Sequence, residues 1–305
     1  MFLGEETEMN SFLKRVVYSL NRRGLLDFLS DKAYIKLMFR LAFNKKLNLE
    51  SPKMYSEKLQ WLKLYDRRDE YSTLVDKYEV KKYVADIVGE NCIIPTLGVW
   101  TSFDEIDFEK LPNQFVLKCT HDSGGIVICK DKSKLNMEEA KQKIDKSLKT
   151  NYYKHGREWP YKNVKPRVIA EKYMEDSQTG ELRDYKFFAF NGDVKAVFIA
   201  SDRYSDEETK FDFFDCDFNH LPFTNGHPNA HNTPKKPKCF EEMKELASKL
   251  SVNIPHIRVD FYEVDGKVYF GEMTFFHWSG MKPFEPEEWD YKFGSWITLP
   301  NYKYM

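Results

Sequence analysis

Hydrophobic positions recur at three- and four-residue spacing in the first quarter of the chain, and at two-residue spacing through much of the remainder. Residues 1 to about 75 therefore read as helical. Ser56 is placed to cap a helix carrying Leu59, Leu62 and Tyr65 on one face, and Asp76 to cap a second, Tyr78 to Val88, with Val80, Tyr83, Val84 and Ile87 on its buried side. Residues 114–118 (QFVLK) and 126–129 (IVIC) then read as short strands. The next helix is capped by Asn136, with Glu139 placed for a capping box, and carries Met137, Ala140, Ile144 and Leu148 as its apolar stripe. Residues 151–167 are loop-like and aromatic, with the run Arg157-Glu158-Trp159. Residues 168–174 (VIAEKYM) read as a strand and 184–200 as a hairpin about Asn191-Gly192. The polar stretch 202–238, with Pro222, Pro228, Pro234 and Pro237, reads as an irregular excursion over the surface. A helix at 239–250 precedes a last hairpin, 257–276, turning at Asp265-Gly266. Strand pairs alternating with single helices predict α+β lobes, not a doubly wound parallel sheet.

Length and charge narrow the picture. With 305 residues the chain has room for two or three lobes. Lys and Arg total 47 against 48 Asp and Glu, so generic nucleic-acid binding has no electrostatic support. Five cysteines, Cys92, Cys119, Cys129, Cys216 and Cys239, form no C-x-x-C pair and suggest neither a disulfide framework nor a zinc site. Charged residues break every apolar run well short of a membrane span, and no signal-peptide pattern opens the chain. A reduced cytoplasmic protein without membrane insertion is expected.

Three constellations carry candidate chemistry. The first is Thr120 to Gly125, between two strands. Gly124 and Gly125 let backbone N–H groups approach an anion, Thr120 and Ser123 add hydroxyl donors, and Lys118 supplies a charge. Taken alone, the run fits a tight turn as well as an anion loop, and its spacing is not that of a P-loop. The second is the hairpin 257–276. A two-residue turn at Asp265-Gly266 would set Glu272 on the face opposite Asp260. A three-residue turn with Gly266 in a bulge pairs Asp260 with Phe270 and Glu272 with Arg258, and gathers Arg258, Asp260, Glu272 and Thr274 on one face. The three-residue register is the one predicted. Two carboxylates there suit Mg²⁺ and Arg258 suits a phosphate or carboxylate, although a solvent-facing Arg–Glu pair reads the same. The third is Glu171-Lys172-Tyr173-Met174 followed by Asp184 and Lys186. A strand leaving its sheet there could offer an adenine edge, Glu171 accepting from the amino group and Met174 covering the ring, with Asp184 for ribose and Lys186 for phosphate.

Together FVLKCTHDSGG (115–125), VIAEKYME (168–175), DYKFFAFNGDVK (184–195), IRVDFYEVDGKVYFGEMTFF (257–276) and DYKFGSW (290–296) resemble the ATP-grasp superfamily, most closely its TupA-like branch of bacterial polysaccharide biosynthesis and capsule proteins. The likeness runs from about residue 50 to the C-terminus. It implies an ATP-grasp fold in which two α+β lobes clasp ATP behind a helical N-terminal lobe. The lobes are 1–75, then 76–165 with the glycine-rich loop, then 166–305 with the metal site. Lys118 and residues 120–125 match the phosphate-covering loop, Glu171 to Met174 the adenine linker, and Asp184 a ribose or phosphate contact. Arg258 matches the residue that steadies an acyl phosphate, Asp260 and Glu272 match the magnesium ligands, and Thr274 stands where many members have Asn. The implied activity is MgATP-dependent carboxylate–amine ligation through an acyl phosphate, with Lys118, Lys186 and Arg258 supplying charge. The implied substrates are small molecules, an amino acid or peptide and a sugar acid or amino sugar. A sugar or glycan kinase on the same fold, a glycosyltransferase and a non-catalytic nucleotide-binding module are the alternatives.

Overall fold

A computed structural model describes residues 11–177, 180, 182–201 and 208–301. Residues 1–10, 202–207 and 302–305 of the expected segments lie outside these. The chain begins with α1 (Ser11–Arg22) and α2 (Asp31–Phe43), the latter capped by Ser30, whose hydroxyl accepts from the Ala33 amide. They share a small core of their own around Tyr34, Ile35, Phe39 and Leu41. The helices α3 (Tyr55–Tyr65), α4 (Glu70–Val75) and α5 (Val80–Val88) pack instead into the large core farther along the chain.

Two antiparallel sheets follow. The first orders its strands β1-β4-β2-β3, from β1 (Thr96–Trp100), β2 (Phe115–Cys119), β3 (Ile126–Cys129) and β4 (Val168–Lys172). Strict alternation in β2 turns Phe115, Leu117 and Cys119 toward α6 (Met137–Leu148), where Ala140 and Ile144 meet them, and sets Val116 and Lys118 on the other face. The first sheet crosses the expected 165/166 boundary, because β4 hydrogen-bonds to both β1 and β2. A short helix α7 (Tyr153–Gly156) and the turn Trp159–Tyr161 occupy the aromatic segment between α6 and β4.

The second sheet orders its strands β7-β6-β5-β8-β9, from β5 (Asp184–Phe190), β6 (Asp193–Ser201), β7 (Lys210–Phe214), β8 (Ile257–Val264) and β9 (Lys267–Thr274). Alternation again sorts its faces. Phe187 and Phe261 meet Phe240 of α8 (Phe240–Leu250) or one another, whereas Phe188 and Phe190 meet Phe293 and Trp296 of α9 (Glu288–Trp296). On that second face Asp184 and Lys186 precede Phe188, so one strand passes from a polar site into the core.

Several expectations are corrected. Ser56 is the second residue of α3, not its cap, and is buried against Asp290. Asp76 does cap the turn into α5, accepting from the amides of Tyr78 and Glu79 at 2.9 and 3.2 Å, but Ile87 is exposed. Of the stretch 202–238, residues 210–214 form β7, and Phe213, Phe214 and Phe223 are buried to within 2%, whereas 226–236 is irregular and largely at the surface, as expected. Its prolines and charges mask a phenylalanine-rich run that pairs on the sheet edge.

The hairpin register differs as well. Asp265 (φ 51) and Gly266 (φ 74) form a two-residue turn with Val264 opposite Lys267, in place of the three-residue turn expected. A β-bulge at Gly271 then shifts the ladder by one residue, so Asp260 faces Glu272 and Arg258 faces Thr274. The four side chains still share one face. The device that brings them there is the bulge in β9, not a bulge in the turn.

Candidate active site

The two sheets face each other across a cleft of about 650 Å³. Val116 and Lys118 enter it from β2, Ser123 from the glycine loop, and Asp184, Lys186 and Glu272 from the second sheet. The segment leaving β4, with Lys172, Tyr173 and Met174, forms one end together with Leu182 and Arg183.

Carboxylates and cations alternate through this space. Glu171 is buried between Lys81 Nζ at 2.5 Å and Lys118 Nζ at 2.7 Å. Burial would raise its carboxyl, but Lys118 and Lys81 outweigh that and hold it below the usual range. Both oxygens thus face lysine ammonium groups. Lys186 Nζ lies 3.3 Å from Asp184 Oδ1 and donates to Asp260 Oδ2. Asp260 is fully buried, and Arg258 grips it twice, Nε to Oδ1 at 2.7 Å and Nη2 to Oδ2 at 2.8 Å. Arg258 Nη2 also reaches Glu272 Oε1 at 3.2 Å and Thr274 Oγ1 at 3.0 Å. The Glu272 side chain keeps 35% of its exposure, and Lys77 Nζ stands 4.0 Å from its other oxygen. Burial works to raise the Glu272 carboxyl, yet Lys77, Lys186 and Arg258 together bring it down to about 2.

Behind Arg258, a polar chain fixes its direction. Asn225 donates its amide to the carbonyls of Lys282 and Pro283 at 3.1 and 3.0 Å, which leaves Oδ1 as an acceptor for His277 Nε2–H at 3.0 Å. His277 Nδ1 then accepts from Arg258 Nη1 at 3.0 Å. Burial and the neighbouring Arg258 push the imidazole well below its ordinary pKa, which keeps it the neutral acceptor this chain requires.

The glycine loop divides in two. Ser123 and Gly124 are exposed at its tip, with Ser123 Oγ 3.2 Å from the Tyr152 hydroxyl. Thr120 is fully buried, and its amide donates to the Arg167 carbonyl. The Gly125 amide is taken by Asp122 Oδ1 at 3.1 Å, and a Cβ at this position would collide with Ser147 Oγ and Cys119 Sγ. Thr120 and Gly125 thus shape the loop from beneath, away from the cleft wall.

Lys77 and Lys81 were not singled out from the sequence. Lys77 stands in the turn before the helix expected over Tyr78–Val88, and Lys81 lies within that helix. In the structure Lys77 Nζ donates to the Asp122 carbonyl and lines the cleft, while Lys81 also donates to Thr96 Oγ1 at 2.6 Å.

The residues present fit MgATP. Val116, Ile94, Met174 and Leu182 give apolar walls for a flat base, and Lys77, Lys118 and Lys186 give the charge a polyphosphate needs. Magnesium is commonly held by one or two carboxylates and completed by phosphate and water. Glu272, partly exposed above the engaged Asp260, suits that arrangement. Among the described residues no group of three or more Asp, Glu, His or Cys forms a dedicated metal cage.

Comparison with known proteins adds a family. No curated protein sequence matches the chain. Solved structures share a distant likeness. The D-alanine–D-alanine ligase from Bacillus anthracis complexed with ATP is 17% identical, over 66% of this chain and 55% of that one, with a TM-score of 0.39. The L-amino acid ligase from Bacillus licheniformis is 12% identical over 86% and 55%, TM-score 0.44. The D-alanine–D-alanine ligase from Helicobacter pylori is 14% identical over 82% and 68%, TM-score 0.44. The chain spans little more than half the length of the Bacillus anthracis ligases it matches. The model of the TupA-like ATP-grasp family matches residues 57–298, which include both sheets and every cleft residue described above; the chain belongs to that family.

Proposed function

We propose that this chain is an ATP-dependent carboxylate–amine ligase. It transfers the γ-phosphoryl group of ATP to a carboxylate, and an amine then displaces phosphate from the acyl phosphate to leave an amide. The substrates are small molecules, an amino acid or peptide and a sugar acid or amino sugar, in cytoplasmic assembly of a bacterial polysaccharide. The observation that carries the reading is the single face of β8 and β9 on which Arg258, Asp260, Glu272 and Thr274 converge, opposite the ammonium groups of Lys77 and Lys118.

Phosphoryl transfer asks a protein for position and charge, not for a covalent partner. Lys77, Lys118 and Lys186 neutralise phosphate oxygens. Arg258, locked by Asp260 and His277, faces charge that develops on the transferred group without reorganising. Glu272 and Asp260 are the residues that would hold magnesium, which supplies further charge neutralisation when bound. Ser123 and Gly124 at the loop tip cover the phosphates and keep water from the acyl phosphate.

The test is incubation with MgATP and pools of amino acids, uronic acids and amino sugars, followed by mass spectrometry and hydroxylamine trapping. Phosphate release, a new amide and a trapped hydroxamate are expected. Asp260→Asn and Glu272→Gln are expected to lower turnover by about a hundredfold or more while remaining folded. A stable phosphate ester as product, or full activity in both variants, would overturn the reading.

A further inference from the structure

The first sheet ends in β3, which among the described residues pairs with β2 alone. Its backbone polar groups therefore divide between the ladder and an open edge. The Cys119 amide donates to the Gly125 carbonyl at 2.7 Å. In an antiparallel ladder the pairs that exchange hydrogen bonds recur at every second residue, so Val127 and Cys129 also turn their backbone groups toward β2. Ile126 and Ile128 turn theirs outward. The Ile126 amide donates locally to the Gly124 carbonyl at 3.0 Å. That leaves the Ile126 carbonyl and both the amide and the carbonyl of Ile128 on the open edge.

A groove of about 890 Å³ runs along this edge. A cavity on one face of a strand is lined by alternate residues, because side chains alternate. This one is lined by every residue from 126 to 130 in succession, so it follows the backbone. Its far wall is one face of α6, with Glu139, Ala140 and Lys143 at helical spacing. Short edge strands and nearby lysines commonly keep a sheet from pairing. Here the lysines select a partner. Lys130, Lys134 and Lys143 border the groove and are exposed. Lys130 lies 3.2 Å from Glu175 and Lys134 lies 3.6 Å from Asp131, whereas Lys143 has no ion pair among the described residues. The acids on the groove are Glu139 and Asp131, and Asp131 accepts from the Ser133 amide and hydroxyl. Two copies meeting edge to edge would set these lysines against their own kind, so charge disfavours a second copy of the chain.

We propose that this groove takes an extended acidic segment of a partner protein as a fifth strand on the first sheet. The partner's backbone pairs with Ile126 and Ile128, alternate side chains pack toward Leu135, and its carboxylates meet the three lysines. The groove ends at Ser123 and Gly124, the tip of the glycine loop, so an occupied edge restrains the segment that reaches the nucleotide cleft. Neither the groove nor its occupant depends on the ligase reading.

The experiment is a fluorescence-anisotropy titration of the full chain into a labelled peptide of alternating Val and Glu, with amide hydrogen exchange read on the complex. Saturable binding is expected. Exchange at Ile128 should slow about tenfold or more at saturation, while Val127, already in the ladder, changes little. Two copies of the peptide, N-methylated at alternate amides in the two possible phases, keep the side chains. The one whose methylated amides face β3 should bind about tenfold more weakly. A peptide of alternating Val and Lys should not bind. Lys134→Glu combined with Lys143→Glu should weaken the acidic peptide about tenfold, with the difference shrinking at high salt. Both positions are exposed, circular dichroism reports folding, and the methylated peptides need no variant at all. No saturable binding, unchanged exchange at Ile128, equal affinity for the basic peptide or for both methylated peptides, or a dimer formed through this edge would each overturn the proposal. Absence of ligase turnover would leave these titrations intact and would sink only the ligase reading.

Discussion

Asp290 lies in α9 with 1% of its surface exposed, and both its carboxylate oxygens serve Ser56. Oδ1 accepts from the backbone amide at 2.8 Å and Oδ2 from the hydroxyl at 2.7 Å. Ser56 is the second residue of α3, so Asp290 satisfies from another helix an amide that α3 cannot satisfy itself. Burial raises the carboxyl from 3.8 to about 6 despite the opposing hydrogen bonds from Ser56. A difference of about two pKa units corresponds to about 3 kcal/mol between the two protonation states. The folded state binds this proton more tightly than the unfolded state, so the contribution to stability is fully present below pH 3.8 and is lost as pH rises through 6. Asp290→Asn removes the ionisation and keeps the shape. Its Oδ1 still accepts from the amide, and its Nδ2 can donate to the Ser56 hydroxyl oxygen, whose proton is free to rotate. The variant is therefore expected to exceed wild type in stability at pH 8 by up to about 3 kcal/mol, with the gap closing between pH 6 and 4. Urea unfolding at pH 8 and pH 4.5, read as a shift of the midpoint at constant slope, measures this. An Asn variant that is less stable at pH 8, or a gap that does not depend on pH, would refute the reasoning.

Two further outcomes follow from the site. Lys77→Met removes an ammonium that joins the Asp122 carbonyl to the neighbourhood of Glu272, and should weaken MgATP binding by about 2 kcal/mol, roughly thirtyfold, in a calorimetric titration. Unchanged affinity would reduce Lys77 to a tether of the loop. Deleting Gly271 should remove the bulge and leave Glu272 opposite Asp260, so a folded deletion variant should retain magnesium-dependent nucleotide binding; its loss would show that the bulge's added twist, and not the pairing alone, aims the carboxylates.

Much of this architecture is written in local pattern. Asn191-Gly192 and Asp265-Gly266 both turn hairpins, with the positive φ values such pairs accommodate, and Asn136 caps α6 through the Glu139 amide as the spacing indicates. The convergence of Arg258, Asp260, Glu272 and Thr274 is legible too, but the turn is the wrong place to look for its cause. Gly271, an isolated glycine within a strand pattern, is the signal of the bulge. β7 escapes because prolines and charges on either side outweigh the five residues Lys210–Phe214. Lys77 and Lys81 cannot be found by periodicity. Their partners Asp122, Glu171 and Glu272 are 45 to nearly 200 positions away, so nothing in the local pattern pairs these lysines before the sheets are in place.

The pairing of carboxylates with ammonium groups throughout the cleft sets the terms on which a nucleotide enters. Lys81 and Lys118 are already matched by Glu171, and Lys186 by Asp184 and Asp260. An incoming polyphosphate therefore competes with internal counter-anions for these ammonium groups, so its binding is in part an exchange of partners. A small monovalent anion gains little from such an exchange, since it can replace one carboxylate contact at a time. A chain of phosphates, spaced to engage several lysines at once, recovers what each displacement costs, and the protein can hold its own cations in place without filling the cleft with whatever anion is most abundant.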